Sequence, residues 1–187
     1  MPNNLHGPGD NYHPQNSHVI PALIRRFHEA KARGDEAVTI WSTGSPLREF
    51  MYSDDMADAC VFLMNLPDSC FQQLQGADRN HGVAPLVNVG LGVDLSILQL
   101  AQLVAEFVNF KGAINTDPTK PDGTPRKLMD VSRLINLGWC ASAPLMDGLK
   151  LAYALYPKPD MKSSANRIWF ASQLFYAGKA PLLVLSG

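Results

Sequence analysis

The stretch NSHVIPALIRRFHEAKARGDEAVTIW, residues 16–41, predicts a helix that is followed at once by a strand. Asn16 and Ser17 are residue types that cap helix N-termini, and Pro21 suits a first helical turn. The apolar residues after them recur at helical spacing; they are Ile20, Leu23, Ile24 and Phe27. Gly34 is expected to end this helix, since glycine readily takes the left-handed conformation of a C-terminal cap.

The alternation of strands and helices continues on both sides of this stretch. In the first strand, Val38 and Ile40 alternate with Thr39 and Trp41. Further strands are predicted at 47–52, 86–89 and 113–116. Further helices are predicted after a cap at Asp54 or Asp55, after the capping box Ser96–Gln99, around 131–137 and around 145–156. Residues 67–84 are polar and predict a loop. This pattern indicates an α/β protein.

The bulk properties of the 187 residues exclude several kinds of partner. The formal net charge of -1 argues against nucleic acid and against an anionic membrane. Cys60, Cys70 and Cys140 have no C-x-x-C spacing, so neither a zinc site nor a disulfide framework is expected. The first residues lack the basic and apolar regions of a signal peptide. We therefore expect a soluble protein of the reducing cytoplasm that holds no metal.

Three features can carry chemistry when the residues are considered by themselves. The first is His18, which stands at the start of the predicted helix beside Ser17. An imidazole is a competent general acid or base near neutral pH. The alternative is a histidine that caps the helix or lies on the surface, which is the commoner role of a single histidine.

The second feature is a set of cations and the third is Trp41. The cations are Arg25, Arg26, Arg48, Lys120, Arg126 and Lys127. Guanidinium groups that converge suit the oxygens of a diphosphate, although unrelated surface charges are the alternative. Trp41 ends a strand directly before the turn STGSP, where an aromatic face can stack on a purine base. A tryptophan of the core is the alternative.

Four segments resemble a single family, in the same order along the chain. They are PNNLHGPGDNYHPQNSHVIPALIRRFHEAK at 2–31, WSTGSPLREFMYSDDMADACVFLM at 41–64, VNVGLGVDLSI at 87–97 and KPDGTPRKLMDVSRLINLGW at 120–139. They resemble the GDP-L-fucose synthases, which are extended short-chain dehydrogenase/reductases of the NAD-dependent epimerase/dehydratase type. The resemblance covers about residues 1–156.

The resemblance implies an activity and a role for individual residues. Members of the family convert GDP-4-keto-6-deoxy-D-mannose to GDP-L-fucose by epimerising two carbons and then reducing the keto group with NADPH. His18 matches the histidine that acts as the acid in epimerisation, near the nicotinamide. The implied substrate-binding residues are Arg26, Trp41, Arg48 and Asp122. The implied cofactor-binding residues are Pro2, Asn3, Asn4, Leu5 and His18.

The chain also departs from the family pattern. It contains no Tyr-x-x-x-Lys pair and no Gly-rich phosphate loop, which belong to the family's N-terminal half. We therefore expect residues 1–156 to form an incomplete Rossmann-type fold, the C-terminal substrate-binding part of such an enzyme. His6 stands where the family has tyrosine. Ser42 replaces a glycine, and this strains the turn if that position has a positive φ.

The composition changes at Tyr156. We expect a linker at 157–164 and the truncated start of a second α/β unit at 165–187. Its sequence RIWFASQLFYAGKAPLLVLSG resembles the beginning of a YdcF-like domain.

The sequence thus predicts the GDP-sugar-binding fragment of an NADPH-dependent epimerase and reductase, inactive alone because the catalytic Ser, Tyr and Lys are missing. The alternatives are a non-catalytic GDP-sugar-binding module and an inactive gene remnant. The resemblance implies a homodimer for the intact enzymes.

Overall fold

The computed structural model describes residues 3–70 and 86–156, in which strands and helices alternate. The strands are β1 (Asn4–His6), β2 (Ala37–Trp41), β3 (Leu47–Arg48), β4 (Phe50–Tyr52), β5 (Leu95–Ser96), β6 (Ala113–Asp117) and β7 (Arg126–Lys127). The helices are α1 (Val19–Arg33), α2 (Ser53–Met64), α3 (Ile97–Val108), α4 (Ser132–Asn136) and α5 (Leu145–Ala154). Pro2, the predicted linker 157–164, the predicted unit 165–187 and most of the predicted loop 67–84 lie outside the described residues.

Parallel pairing dominates the strands. β1 runs parallel to β4, and β2 runs parallel to β6. β3 lies between β5, which is antiparallel to it, and β7, which is parallel to it. Parallel strands need long crossover connections, which the helices provide here. The expected α/β class is therefore confirmed.

Helix α1 buries the apolar stripe that its spacing predicts. Ile20, Leu23, Ile24 and Phe27 are all buried, and Gly34 ends the helix in the left-handed conformation with φ 73. The expected cap at Asn16 or Ser17 is wrong. The N-cap residue is His18, whose backbone is extended, and no side chain caps the helix. Asn16 instead accepts hydrogen bonds from the side-chain amide of Asn11.

Two predicted strands differ from the observed ones. The expected strand at 47–52 is divided at Glu49 into β3 and β4, which pair with different partners. Residues 86–89 do not form a regular strand, although Val89 is buried. The predicted strand at 113–116 is present as β6, and the capping box of Ser96 and Gln99 at the start of α3 is confirmed.

The division at Glu49 has a clear cause, because the Glu49 side chain is fully buried and binds backbone amides. One carboxylate oxygen accepts from the N–H groups of Leu91 and Gly92, the latter at 2.8 Å. The other oxygen accepts from the N–H of Met129 at 3.2 Å. A buried carboxylate is tolerated only with such partners. Glu49 therefore fastens the segments around 91 and 129 to the junction of β3 and β4.

Two aspartates of α2 hold another segment in the same way. The carboxylate of Asp55 accepts hydrogen bonds from the N–H and hydroxyl of Ser142 and from the N–H of Ala143. Asp58 accepts from the indole N–H of Trp139 at 2.8 Å. The expected N-cap at Asp54 or Asp55 is therefore wrong: α2 begins at Ser53, and the Asp55 carboxylate is engaged by residues 142 and 143 instead.

Among the described residues, the core consists of two clusters. The larger one unites α1, β2, α3 and α5, and the smaller one surrounds Met51 and Trp139. Trp41 lies outside both clusters and is 70% exposed, so it is not a tryptophan of the core. None of the helices in residues 3–70 and 86–156 is long and apolar enough to cross a lipid bilayer.

His6, which stands where the resemblance implies tyrosine, is a buried titratable group. It is only 2% exposed, it lies edge-on to the ring of Tyr52, and its Nε2 would be 2.8 Å from a Cβ at Gly148. Burial lowers the pKa of His6 to about 4, although the nearby Asp55 carboxylate partly opposes this. The neutral imidazole is thus the form that the folded chain accommodates.

Replacing Glu49 with glutamine should destabilise the fold. The amide nitrogen of the introduced glutamine cannot accept a hydrogen bond, so at least one of the three backbone N–H groups loses its acceptor. We expect Glu49→Gln to lower the free energy of unfolding by about 2–3 kcal/mol, measured by urea denaturation. The control is Glu106→Gln at an exposed position of α3, which should stay within about 0.5 kcal/mol of wild type. Equal losses in both variants would contradict the role assigned to Glu49.

Acid should destabilise the wild-type chain through His6. The unfolded chain binds this proton with a pKa near 6.5 and the folded chain only near 4, so stability that is present above pH 6.5 is lost as the pH falls towards 4. The loss amounts to at most about 3 kcal/mol. In His6→Tyr this part of the pH dependence should vanish, as urea denaturation between pH 4 and 7 would show. The exposed His13→Gln variant should keep the wild-type profile, and a His6→Tyr profile parallel to wild type would refute the expectation.

Candidate functional site

A cavity of about 430 Å³ lies where the start of α1 meets the end of β2. Its lining includes Arg26 from α1 and Trp41 from β2, together with Gln15, Ser17 and Ile97. The alternation along β2 turns Ile40 into the core, and it leaves Trp41 exposed. A cavity of this size suits a small organic ligand. The structure thus brings two of the predicted substrate-binding residues into one cavity.

The neighbouring arginines of α1 differ in their partners. Arg25 forms an ion pair with Glu29 at 3.0 Å, and it also donates to the carbonyl of Pro14. Arg26 donates to the backbone carbonyl of Thr39, and within residues 3–70 and 86–156 it forms no ion pair. Burial lowers the pKa of Arg26, and the charge of Arg25 adds to this effect. Arg26 is therefore the cation of the pair that is left for an external anion.

Arg48 does not line this cavity. Its guanidinium donates to the carbonyl of Leu47 at 2.7 Å, and it forms no ion pair with the part of the chain that the structure describes. The register of the parallel strands sets Arg48 beside Lys127. A Cβ built at Gly123 would lie 3.1 Å from Nη2 of Arg48, so the guanidinium borders the loop before β7.

Asp122 belongs to the same loop and is bound to the turn that follows Trp41. Its carboxylate accepts from the N–H of Thr43 at 3.1 Å and from the Thr43 hydroxyl at 2.8 Å. Hydrogen bonds from the side chains of Thr43 and then Ser42 lower the pKa of Asp122, so it is ionised at neutral pH. The two motifs WSTGSPLRE and KPDGTPRK therefore run side by side, which sequence patterns alone do not reveal.

His18 is exposed and borders two further cavities. One, of about 410 Å³, is lined also by Asn3, Asn4 and Leu5, and the other, of about 610 Å³, extends along residues 5–11. The described residues of the predicted cofactor-binding set are thus gathered around His18. Val19 lines both the first of these cavities and the Trp41 cavity, so the two adjoin across the start of α1.

Three cations of the predicted set do not join this site, and one carboxylate outside that set does. Arg126 is held by Asp94 in a pair of hydrogen bonds at 2.6 and 3.3 Å, so its charge is satisfied there. Lys120 and Lys127 are exposed and line none of the cavities described above. Asp10 lines both cavities beside His18. Its position in the polar loop before the helix is the only signal that the sequence offers for it.

Metal ligands form no cluster in residues 3–70 and 86–156: no three His, Cys, Asp or Glu side chains there are placed to hold an ion. The cysteines at 60, 70 and 140 are free thiols.

Ser42 has a positive φ of 65, so the strain expected from its replacement of a glycine is present. The residue is buried, forms a bridge with Asp117 and is followed by Gly44 with φ 75. A side chain in the left-handed region costs about 1–2 kcal/mol for most residues. The turn between Trp41 and β3 therefore carries backbone strain.

Comparison with known proteins first defines the class. Residues 1–74 match the NAD dependent epimerase/dehydratase family. A solved GDP-mannoheptose C4 reductase from Campylobacter jejuni with NADP bound superposes with a TM-score of 0.70 at 32% identity, over 83% of this chain and 51% of that one. The described fold therefore corresponds to about half of a Rossmann-type epimerase or reductase.

Curated relatives then narrow the class. The chain is 54% identical over 167 residues to GDP-L-fucose synthase 1 of Arabidopsis thaliana, covering 89% of this chain and 46% of the relative. It is 49% identical over 153 residues to the GDP-L-fucose synthase of Escherichia coli strain K12, covering 82% of this chain and 46% of the relative. The chain is a homologue of the GDP-L-fucose synthases. It spans about half the length of the curated relatives it matches.

The strain at Ser42 can be measured with two substitutions that both remove the hydroxyl. Ser42→Gly relieves the left-handed conformation, whereas Ser42→Ala keeps it. We expect the glycine variant to be more stable than the alanine variant by about 1 kcal/mol in urea denaturation. The same pair of substitutions at exposed Ser45, which has no positive φ, should favour alanine or show no difference. An alanine variant as stable as the glycine variant at 42 would disprove strain at this turn.

Proposed function

We propose that this chain supplies the GDP-sugar-binding part of a GDP-L-fucose synthase, an NADPH-dependent epimerase and reductase of GDP-4-keto-6-deoxy-D-mannose. The observation that carries the proposal is the cavity in which the unpaired guanidinium of Arg26 and the exposed face of Trp41 meet. A guanidinium binds diphosphate oxygens, and an indole stacks on a purine. The homologues at 54% and 49% identity are GDP-L-fucose synthases by name, which agrees with this ligand.

In this proposal Arg26 and Arg48 bind the diphosphate, and Trp41 contacts the nucleotide. Both guanidinium groups donate only to backbone carbonyls in the described part of the chain, so their charges are available to a ligand. Asp122 is the fourth proposed substrate-binding residue, and it is hydrogen-bonded to the turn beside Trp41. Arg25 lines the same cavity, but its charge is already paired with Glu29.

His18 is assigned the proton donor in epimerisation. Inversion next to a ketone needs a base on one face of the carbon and an acid on the other, and His18 can supply only one of them. Its exposed side chain borders the cavities beside β1, and Asp10 lies with it there.

The residues around His18 also fit the nicotinamide end of the cofactor. The buried side-chain nitrogen of Asn3 has no hydrogen-bond partner among the described residues, and Asn3 lines the cavity with Asn4 and Leu5. An unpaired buried donor fits a polar ligand. When bound, NADPH would supply the hydride that reduces the keto group. Pro2 is proposed to join this contact.

The 187 residues contain no Tyr-x-x-x-Lys pair and no Gly-rich phosphate loop. We therefore infer that the chain alone binds the GDP-sugar without turning it over. Free thiols at Cys60, Cys70 and Cys140 support a reducing compartment such as the cytoplasm.

Thermal unfolding with and without millimolar GDP-mannose tests this function. Ligand that binds only the folded chain should raise the melting temperature. Arg48→Ala should weaken binding by about 1–3 kcal/mol, because a charged hydrogen bond to phosphate is lost. The matched control is Arg33→Ala, since Arg33 is paired with Asp35 at the far end of α1. A wild-type chain that melts cooperatively without responding to GDP-mannose would overturn the proposal.

A further inference from the structure

The loop between β1 and α1, residues 7–18, contributes to the walls of all three cavities described above. Asp10 and His18 line both cavities beside β1, and Ser17 lines the Trp41 cavity. Groups on a loop are placed less precisely than groups on helices or strands, unless packing and hydrogen bonds hold the loop. The attachment of this loop to the rest of the chain therefore bears on the whole candidate site.

Tyr12 is the residue through which the loop reaches the core. Its side chain is 8% exposed and belongs to the larger hydrophobic cluster. Between Pro8 and Val19 it is the only buried residue. Exposed contacts such as the hydrogen bonds between the Asn11 and Asn16 side chains stay within the loop. They shape the loop, whereas Tyr12 attaches it.

The hydroxyl of Tyr12 satisfies a carbonyl group at the end of α5. It donates to the carbonyl of Ala152 at 3.1 Å, across 140 positions of the sequence. The last carbonyls of a helix lack donors from the helix itself. The N–H of Tyr156, which a continuing helix would direct to Ala152, donates to the carbonyl of Tyr153 instead. Burial raises the pKa of Tyr12, so the hydroxyl keeps the proton that it donates.

The ring of Tyr12 belongs to an aromatic cluster that joins α1 to α5. It stands perpendicular to the ring of Tyr156, with 4.8 Å between the centroids. The ring of Tyr156 lies 4.8 Å from that of His28, and His28 Nδ1 is 3.0 Å from the Tyr153 hydroxyl. Tyr153 also packs against Phe107 of α3. Tyr153 thus resembles Tyr12 in its surroundings, but it connects helices to each other rather than the loop to a helix.

We propose that Tyr12 is a positioning residue for the candidate site: it fixes the loop 7–18 to the last turn of α5 and thereby sets where His18 and the loop side of the Trp41 cavity lie. The inference rests on the proposed function, since it concerns the same cavities. Tyr12 lines none of the three. Its effect on a ligand therefore passes through the loop.

A matched pair of substitutions tests this role in the full chain. Tyr12→Leu and Tyr153→Leu each remove one ring and one hydroxyl from the same cluster. We expect Tyr12→Leu to weaken GDP-mannose binding about tenfold in titration calorimetry, because a loop that is no longer held must be ordered by the ligand. Amide hydrogen exchange of residues 8–18 should become faster in this variant. Tyr153→Leu should lower the stability in urea while affinity and loop exchange stay at wild-type values.

The corresponding phenylalanine variants separate the hydroxyl from the ring, and they decide the question if Tyr12→Leu does not fold. Tyr12→Phe removes only the hydrogen bond to Ala152. It should weaken GDP-mannose binding about threefold and speed the exchange of residues 8–18. Tyr153→Phe removes the hydroxyl that faces His28 and should leave both values unchanged.

The outcomes separate a positioning role from a merely structural one. Equal changes of affinity and loop exchange in the Tyr12 and Tyr153 variants would mean that Tyr12 acts through overall stability, and would overturn the inference. Faster loop exchange at wild-type affinity would overturn it too, because the held loop would then not position the site. If the wild-type chain binds no GDP-mannose, the proposed function fails. Loop exchange then decides the attachment alone: faster exchange in the Tyr12 variants only supports it, and unchanged exchange refutes it.

Discussion

The buried carboxylate of Glu49 is the interaction on which the arrangement of the other elements depends. It sits between β3 and β4, and its oxygens accept backbone N–H groups from residues 91, 92 and 129. Strands on either side of it pair with different partners, so one residue directs the chain into two sheets. A Cβ at Gly90 would collide with this carboxylate, which explains the glycine in the facing segment. Arg48 directly precedes Glu49, and its guanidinium borders the loop before β7.

The candidate site is assembled from segments that this arrangement of strands and helices brings together. α1 contributes Arg26, the end of β2 contributes Trp41, and the loop before β7 lies against both the following turn and Arg48. The start of α1 then joins the Trp41 cavity to the cavity around His18 through Val19. The proposed nucleotide-binding and proton-donating groups therefore adjoin across one helical turn.

Local periodicity accounts for what could be predicted from the sequence. The stripe of α1, the alternation of β2 and the capping box of α3 depend on residues a few positions apart, and all three are confirmed. The break at Glu49 and the hydrogen bonds between Thr43 and Asp122 could not be predicted, because they join residues that lie 42–80 positions apart in the sequence. The proposed roles of His18, Arg26, Arg48 and Asp122 came from the family resemblance, since residue types alone favoured a surface histidine and unrelated surface charges.

Stability and the proposed ligand binding depend on different residues in this chain. Glu49 and Asp55 are buried, and backbone N–H groups donate to their carboxylates, so changing them affects the stability of the fold. Trp41 is mostly exposed, and Arg26 and Arg48 donate only to carbonyls in the described residues, so changing them leaves the core intact. The strain at Ser42 lies beside Trp41, one of the proposed binding residues. Substitutions at the candidate site are therefore expected to lower the affinity for GDP without lowering the free energy of unfolding.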